Sequence, residues 1–245
     1  MDETKLLISR IKDLAVTASK NFYPDFSKFL DMRAQQLVKN IKAEGCVYSA
    51  FGGYEEAERK IIGCFPEGYE PLNELFPVSC IKITPSESSG LTHRDYLGSL
   101  IGLGIKRDFI GDIAVTESCA YVFCAESVKD FIILNLKKIG GVSAAAEECF
   151  KPLLPEKSFK RRSVTLASER LDCALSAVIG TSRAKTEEVI KSGRVMVNYT
   201  ETLTPALRLK ASDVVSVRGF GKFIYLGNGG TTKKGRLKAE IDIYE

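Results

Sequence analysis

The strongest constraint on folding lies in residues 162–198. There an apolar strand, Val164-Thr165-Leu166, is followed by two short helical stretches, a glycine turn and a second strand, Val195 to Asn198. Ser168 is placed to cap the first helix and Thr181 or Ser182 the second, because side-chain oxygens there accept first-turn N–H groups. Leu171, Ala174, Leu175 and Val178 form one buried stripe. Ala184, Val189 and Ile190 supply the second helix's contacts, and Gly193 fits the left-handed position after it. Arg170 opens the first helix with its head toward solvent. Arg183, Lys185 and Lys191 fall on or near the polar side of the second, and Arg194 follows the glycine. Two helices this short need a sheet to pack on, and their leftover surface is basic.

Charge is segregated in the same way. Residues 1–155 carry 18 basic and 21 acidic side chains, a net of −3, whereas 156–245 carry 17 and 10, a net of +7. A basic third attached to a neutral or acidic remainder points to a polyanionic partner. Beyond the helices, strand 214–217 runs into Arg218-Gly219-Phe220-Gly221-Lys222. Arg218 and Lys222 can reach phosphates, while Phe220 either fills the core, the simpler reading, or stacks on a base. Gly229 to Arg236 reads as a turn between strands carrying Lys233, Lys234 and Arg236. It is no phosphate-binding P-loop, because G-x-x-x-x-G-K-[ST] is absent.

Upstream, a helix to Asn21 and a second over Met32–Ala43 precede a strand at Cys46–Phe51, with a partly strand-like run at Ala57–Phe65. After a Pro- and Gly-rich connection the order becomes strand (78–83), helix (92–104), two strands (113–115 and 120–124), a helix capped by Ser127 and ended by Gly140-Gly141, and a strand (144–149). This is the split βαβ pattern of ferredoxin-like and RNA-recognition domains. A linker follows at Lys151–Lys160. The fold class is thus multidomain α/β and α+β, with domains expected at 1–70, 74–150 and 160–245.

Catalytic and metal chemistry find little support. The seven cysteines are scattered without a C-x-x-C pair, and His93 is the one histidine. Buried free thiols are expected, and no metal or cofactor. No Ser-His-Asp or Cys-His set can be assembled. The glycines between Gly98 and Gly104 follow a helical pattern rather than a strand, so they predict helix packing, not a nucleotide-binding turn. No segment has the length and apolarity of a membrane span, and the acids and bases from Asp2 to Lys5 do not form a secretory signal. The chain is read as cytoplasmic, with no membrane partner.

Residues 162–218 resemble an S4 RNA-binding domain. The likeness is carried by Arg170-Leu171-Asp172, Thr181-Ser182-Arg183-Ala184, Ile190 to Asn198 and Asp213 to Arg218. It implies that Arg170, Arg183, Lys185, Lys191 and Arg194 face structured RNA and that Asp172 orients nearby groups. Phe29 to Arg33, Gly52 to Lys60, His93 to Gly98 and Leu103 to Arg107 resemble the bacterial YlmH family, as do Arg218 to Gly221 and Thr232 to Arg236. That resemblance implies an N-terminal α/β unit, an RRM-like middle domain and a C-terminal S4 domain. It also implies docking on the large ribosomal subunit through ribosomal RNA, with tRNA or peptidyl-tRNA and ribosomal proteins as further partners, in rescue of stalled translation. The expected protein is a monomer off the ribosome and not an enzyme. Arg94, Lys106 and Arg107 are added as phosphate contacts at the two ends of one helix; the bland alternative there is a helix start at which His93 and Asp95 bond locally. Two other functions stay open. One is an RNA-modifying enzyme of pseudouridine synthase or methyltransferase type, although Arg170-Leu171-Asp172 lies inside the S4 helix. The other is a cell-division regulator acting through protein contacts.

Overall fold

The computed structural model describes residues 3–39, 41–42, 45–87, 90–155, 158–232 and 235–244. They divide into two compact units, 1–155 and 156–245.

In the first unit, helix α1 (Glu3–Asn21), strand β1 (Asp25–Leu30), helix α2 (Met32–Val38), and strands β2 (Cys46–Phe51) and β3 (Lys60–Pro66) make a three-stranded sheet ordered β1-β3-β2. Ile11, Ala15 and Ala18 recur on one face of α1 and are buried against this sheet. Strand β1 was not expected. A register shift between Phe26 and Phe29 sends both rings into the same core, which breaks the period-2 alternation that reveals a strand. Helix α2 is shorter than expected. Ile41 N–H turns back to the Val38 carbonyl and its side chain packs beside Val38 and Ile62, so the chain leaves the helix before Ala43. Residue 43 itself lies outside the described residues.

The middle of the chain supplies β4 (Val78–Pro85), α3 (His93–Gly102), β5 (Ile110–Val115), β6 (Ala120–Ala125), α4 (Glu126–Asn135), β7 (Lys138–Ile139) and β8 (Val142–Glu148). The sheet order is β5-β6-β4-β8-β7, antiparallel throughout. This is the order 2-3-1-4 of the split βαβ unit. Both helices cover one face, where Ile81, Ile83, Tyr96, Leu100, Val122 and Ile132 are buried, each large side chain contributing about 1.5–3 kcal/mol. Ser127 does not cap α4. Strand β6 runs directly into the helix with Ala125 at the cap position, and the Glu126 carboxylate in the first turn accepts from Ser79 Oγ and pairs with Lys129. Nor does Gly140-Gly141 end that helix. It forms the turn between β7 and β8, both glycines having positive φ.

The opposite face of this sheet is covered over its aromatic residues. Tyr121 and Phe123 are 5% and 1% exposed, and Tyr54 lies over Phe123 at 4.9 Å between ring centres. Gly53 has φ +102°, and a Cβ there would strike the Phe123 ring. Asp112 on β5 clamps this loop, accepting from Tyr54 Oη (2.8 Å), Glu58 N (2.6 Å) and Arg59 N (3.0 Å). Arg59 then donates to the carbonyls of Ile110, Phe29 and Arg107. The Gly52–Lys60 motif therefore fastens a loop onto the middle sheet, and its tyrosine stacks on a protein ring rather than a base.

The second unit comprises β9 (Phe159–Leu166), α5 (Leu171–Ile179), α6 (Arg183–Lys191), β10 (Val195–Val197), β11 (Thr200–Glu201), β12 (Asp213–Val217), β13 (Gly221–Thr231) and β14 (Leu237–Tyr244). They form one antiparallel sheet ordered β11-β10-β12-β13-β14-β9. Strand β9 begins five residues before the expected Val164, inside the expected linker, because it pairs along its whole length with β14. Leu171, Ala174, Leu175, Val178 and Ile190 bury against Val215, Phe223, Tyr225 and Ile241.

Candidate nucleic-acid interface

The start of α5 is held by backbone rather than by a side-chain cap. Leu171 N and Asp172 N donate to the carbonyls of Leu207 and Pro205, which leaves Ser168 to approach Cys173 Sγ instead of capping as expected. Ser182 does cap α6, accepting from Lys185 N. The buried residue in the first turn of α6 is Thr186, whose hydroxyl donates to the Ser182 carbonyl. Ala184, expected in the core, is exposed, because the helix presents position 186 to the sheet.

Asp172 organises the basic surface. It is 0% exposed, and its carboxylate accepts Nε and Nη2 of Arg170 at 3.0 and 2.8 Å, Nη2 of Arg183 at 2.6 Å and its neighbour's N–H, Cys173 N, at 2.9 Å. Burial by itself would raise the pKa of this group. The hydrogen bonds from the two arginines outweigh it and hold the carboxyl at about 2. Two guanidinium groups, one from the N-cap of α5 and one from the first residue of α6, thus share one buried anion, and their side chains remain 40% and 50% exposed. Bidentate pairing fixes the Arg170 guanidinium in orientation, and a single bond from Nη2 holds that of Arg183 beside it, so a phosphate arriving here would meet cations already placed.

Lys185, Arg194 and Arg218 are exposed; so is Lys191, with Glu187 at 3.7 Å. The register Val195↔Val217 and the bond from Arg218 N to the Arg194 carbonyl set these two arginines side by side, although 24 positions separate them in sequence. Arg194 Nε is steadied by Ser192 Oγ at 2.9 Å. Lys222 sits across from Ser216, with its ammonium 5.3 Å from the Tyr199 ring centre and 5.0 Å from that of Tyr244. Phe220 was expected to pack in the core. It is 46% exposed, because it sits in the tight turn joining β12 to β13.

Arg236 is exposed roughly 30 Å of strand away from Lys222, but its neighbours Gly235 and Leu237 line an open pocket with Arg170 and Arg208, which places it by the Arg170 end of the basic surface. Lys233 and Lys234 lie outside the described residues. In the first unit Arg94 and Lys106 are exposed, whereas Arg107 is half-buried. Its Nη1 donates to the carbonyls of Ile110 and Gly111, and burial, with Arg59 nearby, lowers its pKa to about 10. Asp95 accepts from Thr92 N and Oγ1 as a helix cap. The glycines of α3 do not pack as expected. A Cβ on Gly98, Gly102 or Gly104 would meet nothing within 4 Å.

Sequence reasoning passed over Lys137 and Lys138, both exposed. They were read as the tail of α4, whereas the helix stops at Asn135 and Lys138 begins β7. Among the described residues, no cluster of three or more His, Cys, Asp or Glu side chains is arranged to hold a metal ion. Likewise, none of the described helices is long and apolar enough to cross a membrane.

Comparison with known proteins agrees with this architecture. Residues 71–150 match a family model described as "Putative RNA-binding domain in YlmH". Over 218 residues the chain is 30% identical to the ribosome-associated protein quality control protein P2 of Bacillus subtilis, covering 87% of this chain and 85% of that protein. A solved structure titled cell division protein ylmH from Streptococcus pneumoniae superposes with a TM-score of 0.52 at 25% identity, covering 62% of this chain and 93% of that one. The chain belongs to the YlmH family of S4-domain RNA-binding proteins.

Proposed function

We propose that this protein is a non-enzymatic RNA-binding factor of ribosome-associated quality control, docking through its S4 unit on ribosomal RNA of the large subunit. Family membership supports the ribosomal setting. The observation that carries the mode of binding is the pair of arginines, Arg170 and Arg183, held by buried Asp172 beside outward-facing Lys185, Lys191, Arg194 and Arg218. Such an edge neutralises phosphates and reads shape, and it supplies no group for bond making. Contact with tRNA or peptidyl-tRNA and with ribosomal proteins belongs to the same reading. So does a role in rescuing stalled translation.

The test is crosslinking and sequencing of RNA bound in cells during translational stress. Recovery of large-subunit ribosomal RNA, with tRNA, is expected. Crosslinks spread over messenger RNA without ribosomal enrichment would contradict the proposal. Nuclease-resistant association with a division protein would instead favour a division regulator.

A further inference from the structure

The middle domain poses a separate question. The two aromatic rings on the sheet face through which a split βαβ domain stacks bases are covered here: Phe123 lies under Tyr54, and Tyr121 is buried in the same cluster, against which Cys149 and Leu154 pack. The exposed strand residues of that face, Thr84 and Ala145, carry no ring, and Lys82 lies 3.8 Å from Glu147; the exposed ring that borders it is Phe150, just after β8.

On the helical side, an open groove of about 640 Å³ runs between α3 and the segment joining α4 to β8. Arg94 on α3, Lys137 in the connection after α4 and Lys138 on β7 line it, together with Gly98, Gly140 and Gly141. All three cations are exposed, and none has a salt-bridge partner among the described residues. The acid on its wall, Asp95, is occupied by Thr92 N and Oγ1. The floor is fixed by Gly140 N donating to Ser99 Oγ at 3.3 Å.

Local stability does not explain this lining. Lysines after a helix C-terminus complement its dipole, which accounts for Lys137. Arg94 stands in the first turn of α3, the positive end, where a cation is disfavoured. Gly98 sits exposed in mid-helix, where glycine costs stability relative to alanine and no neighbour requires it. Two locally unfavourable choices therefore meet in one cationic groove, and both become favourable if a phosphate chain approaches the helix backbone closely.

We infer that this groove is a second RNA-backbone site, in which Arg94, Lys137 and Lys138 hold phosphates against the Gly98 face of α3. For the class of ligand it rests on the RNA-binding reading above; its residues are independent of the S4 edge. The test compares three full-length proteins binding a fluorescent RNA stem-loop, and purified large subunits, across a salt series: wild type, R94E/K137E/K138E, and K185E/R194E.

The groove variant should lose at least tenfold in affinity for the stem-loop, and its salt slope should fall by about 2–3, near one for each phosphate that is no longer neutralised. Gly98→Ala should melt no lower than wild type yet bind several-fold more weakly, and R94K/K137R/K138R should retain binding. A groove variant with wild-type affinity and slope overturns the inference even if the S4 variant fails. An S4 variant that binds normally while the groove variant fails leaves the groove standing and removes the S4 reading. Weaker binding to subunits but not to the stem-loop would mean an acidic protein partner and would overturn the RNA assignment.

Discussion

Replacing Asp172 with asparagine tests the organising role of its carboxylate. The side chain is fully buried and its pKa falls from an ordinary 3.8 to about 2. At about 1.4 kcal/mol for each tenfold change in proton affinity, that depression stabilises the folded state by about 2 kcal/mol at neutral pH. Breaking a buried ion pair from one side usually costs about 3–5 kcal/mol, because the remaining charge is stranded. Here the arginine side chains are 40% and 50% exposed and can rehydrate, so the smaller figure applies. Asparagine also keeps an acceptor for Cys173 N–H. We expect D172N to lose about 2 kcal/mol in urea unfolding followed by circular dichroism at pH 7. The sign of the pH dependence follows from a lowered folded-state pKa. The wild-type contribution is complete above about pH 4 and is lost as pH falls through about 2, so the gap between the proteins should shrink below about 1 kcal/mol near pH 2.5. Equal stability at pH 7, or a gap that does not change with acid, would refute the claim that the carboxylate is ionised and clamped by both arginines.

Other consequences can be checked directly. Gly53→Ala should destabilise by roughly 2–4 kcal/mol in a thermal melt, since the new methyl strikes Phe123 and φ is positive. Asp112→Ala removes the acceptor of Tyr54, Glu58 and Arg59 and should cost about 2–3 kcal/mol in urea unfolding; a neutral result would mean the loop is not clamped there. Thiol titration of the native protein should modify Cys149 first, because the other six cysteines are buried and burial raises the Cys64 and Cys124 pKa values to about 12.

The sequence made the second unit legible because its signals agree across scales. Capping at Ser182, the Leu171 stripe and the left-handed Gly193 each point to the same two helices. Strand β1 was hidden by a bulge that places Phe26 and Phe29 on one side. The start of α5 was misread because its N–H partners come from residues 205–207, a tertiary contact that no local rule contains. The site was legible as charge but not as geometry. Lys185, Lys191, Arg194, Arg218 and Arg236 are exposed, whereas Arg107 is half-buried and donates to backbone carbonyls. Basic residue types announce a polyanion partner; the pairing that decides which of them are available is set by strands distant in sequence.

The central claim is that the S4 edge grips ribosomal RNA through phosphate neutralisation. Its most direct test is cosedimentation of the full-length protein with purified large subunits over a range of potassium concentrations, wild type against K185E/K191E/R194E. Wild-type affinity should fall linearly in log–log form with salt, and the variant should bind at least tenfold more weakly with a slope shallower by about 2–3. Variant and wild type sharing the same affinity and the same salt slope would contradict the account.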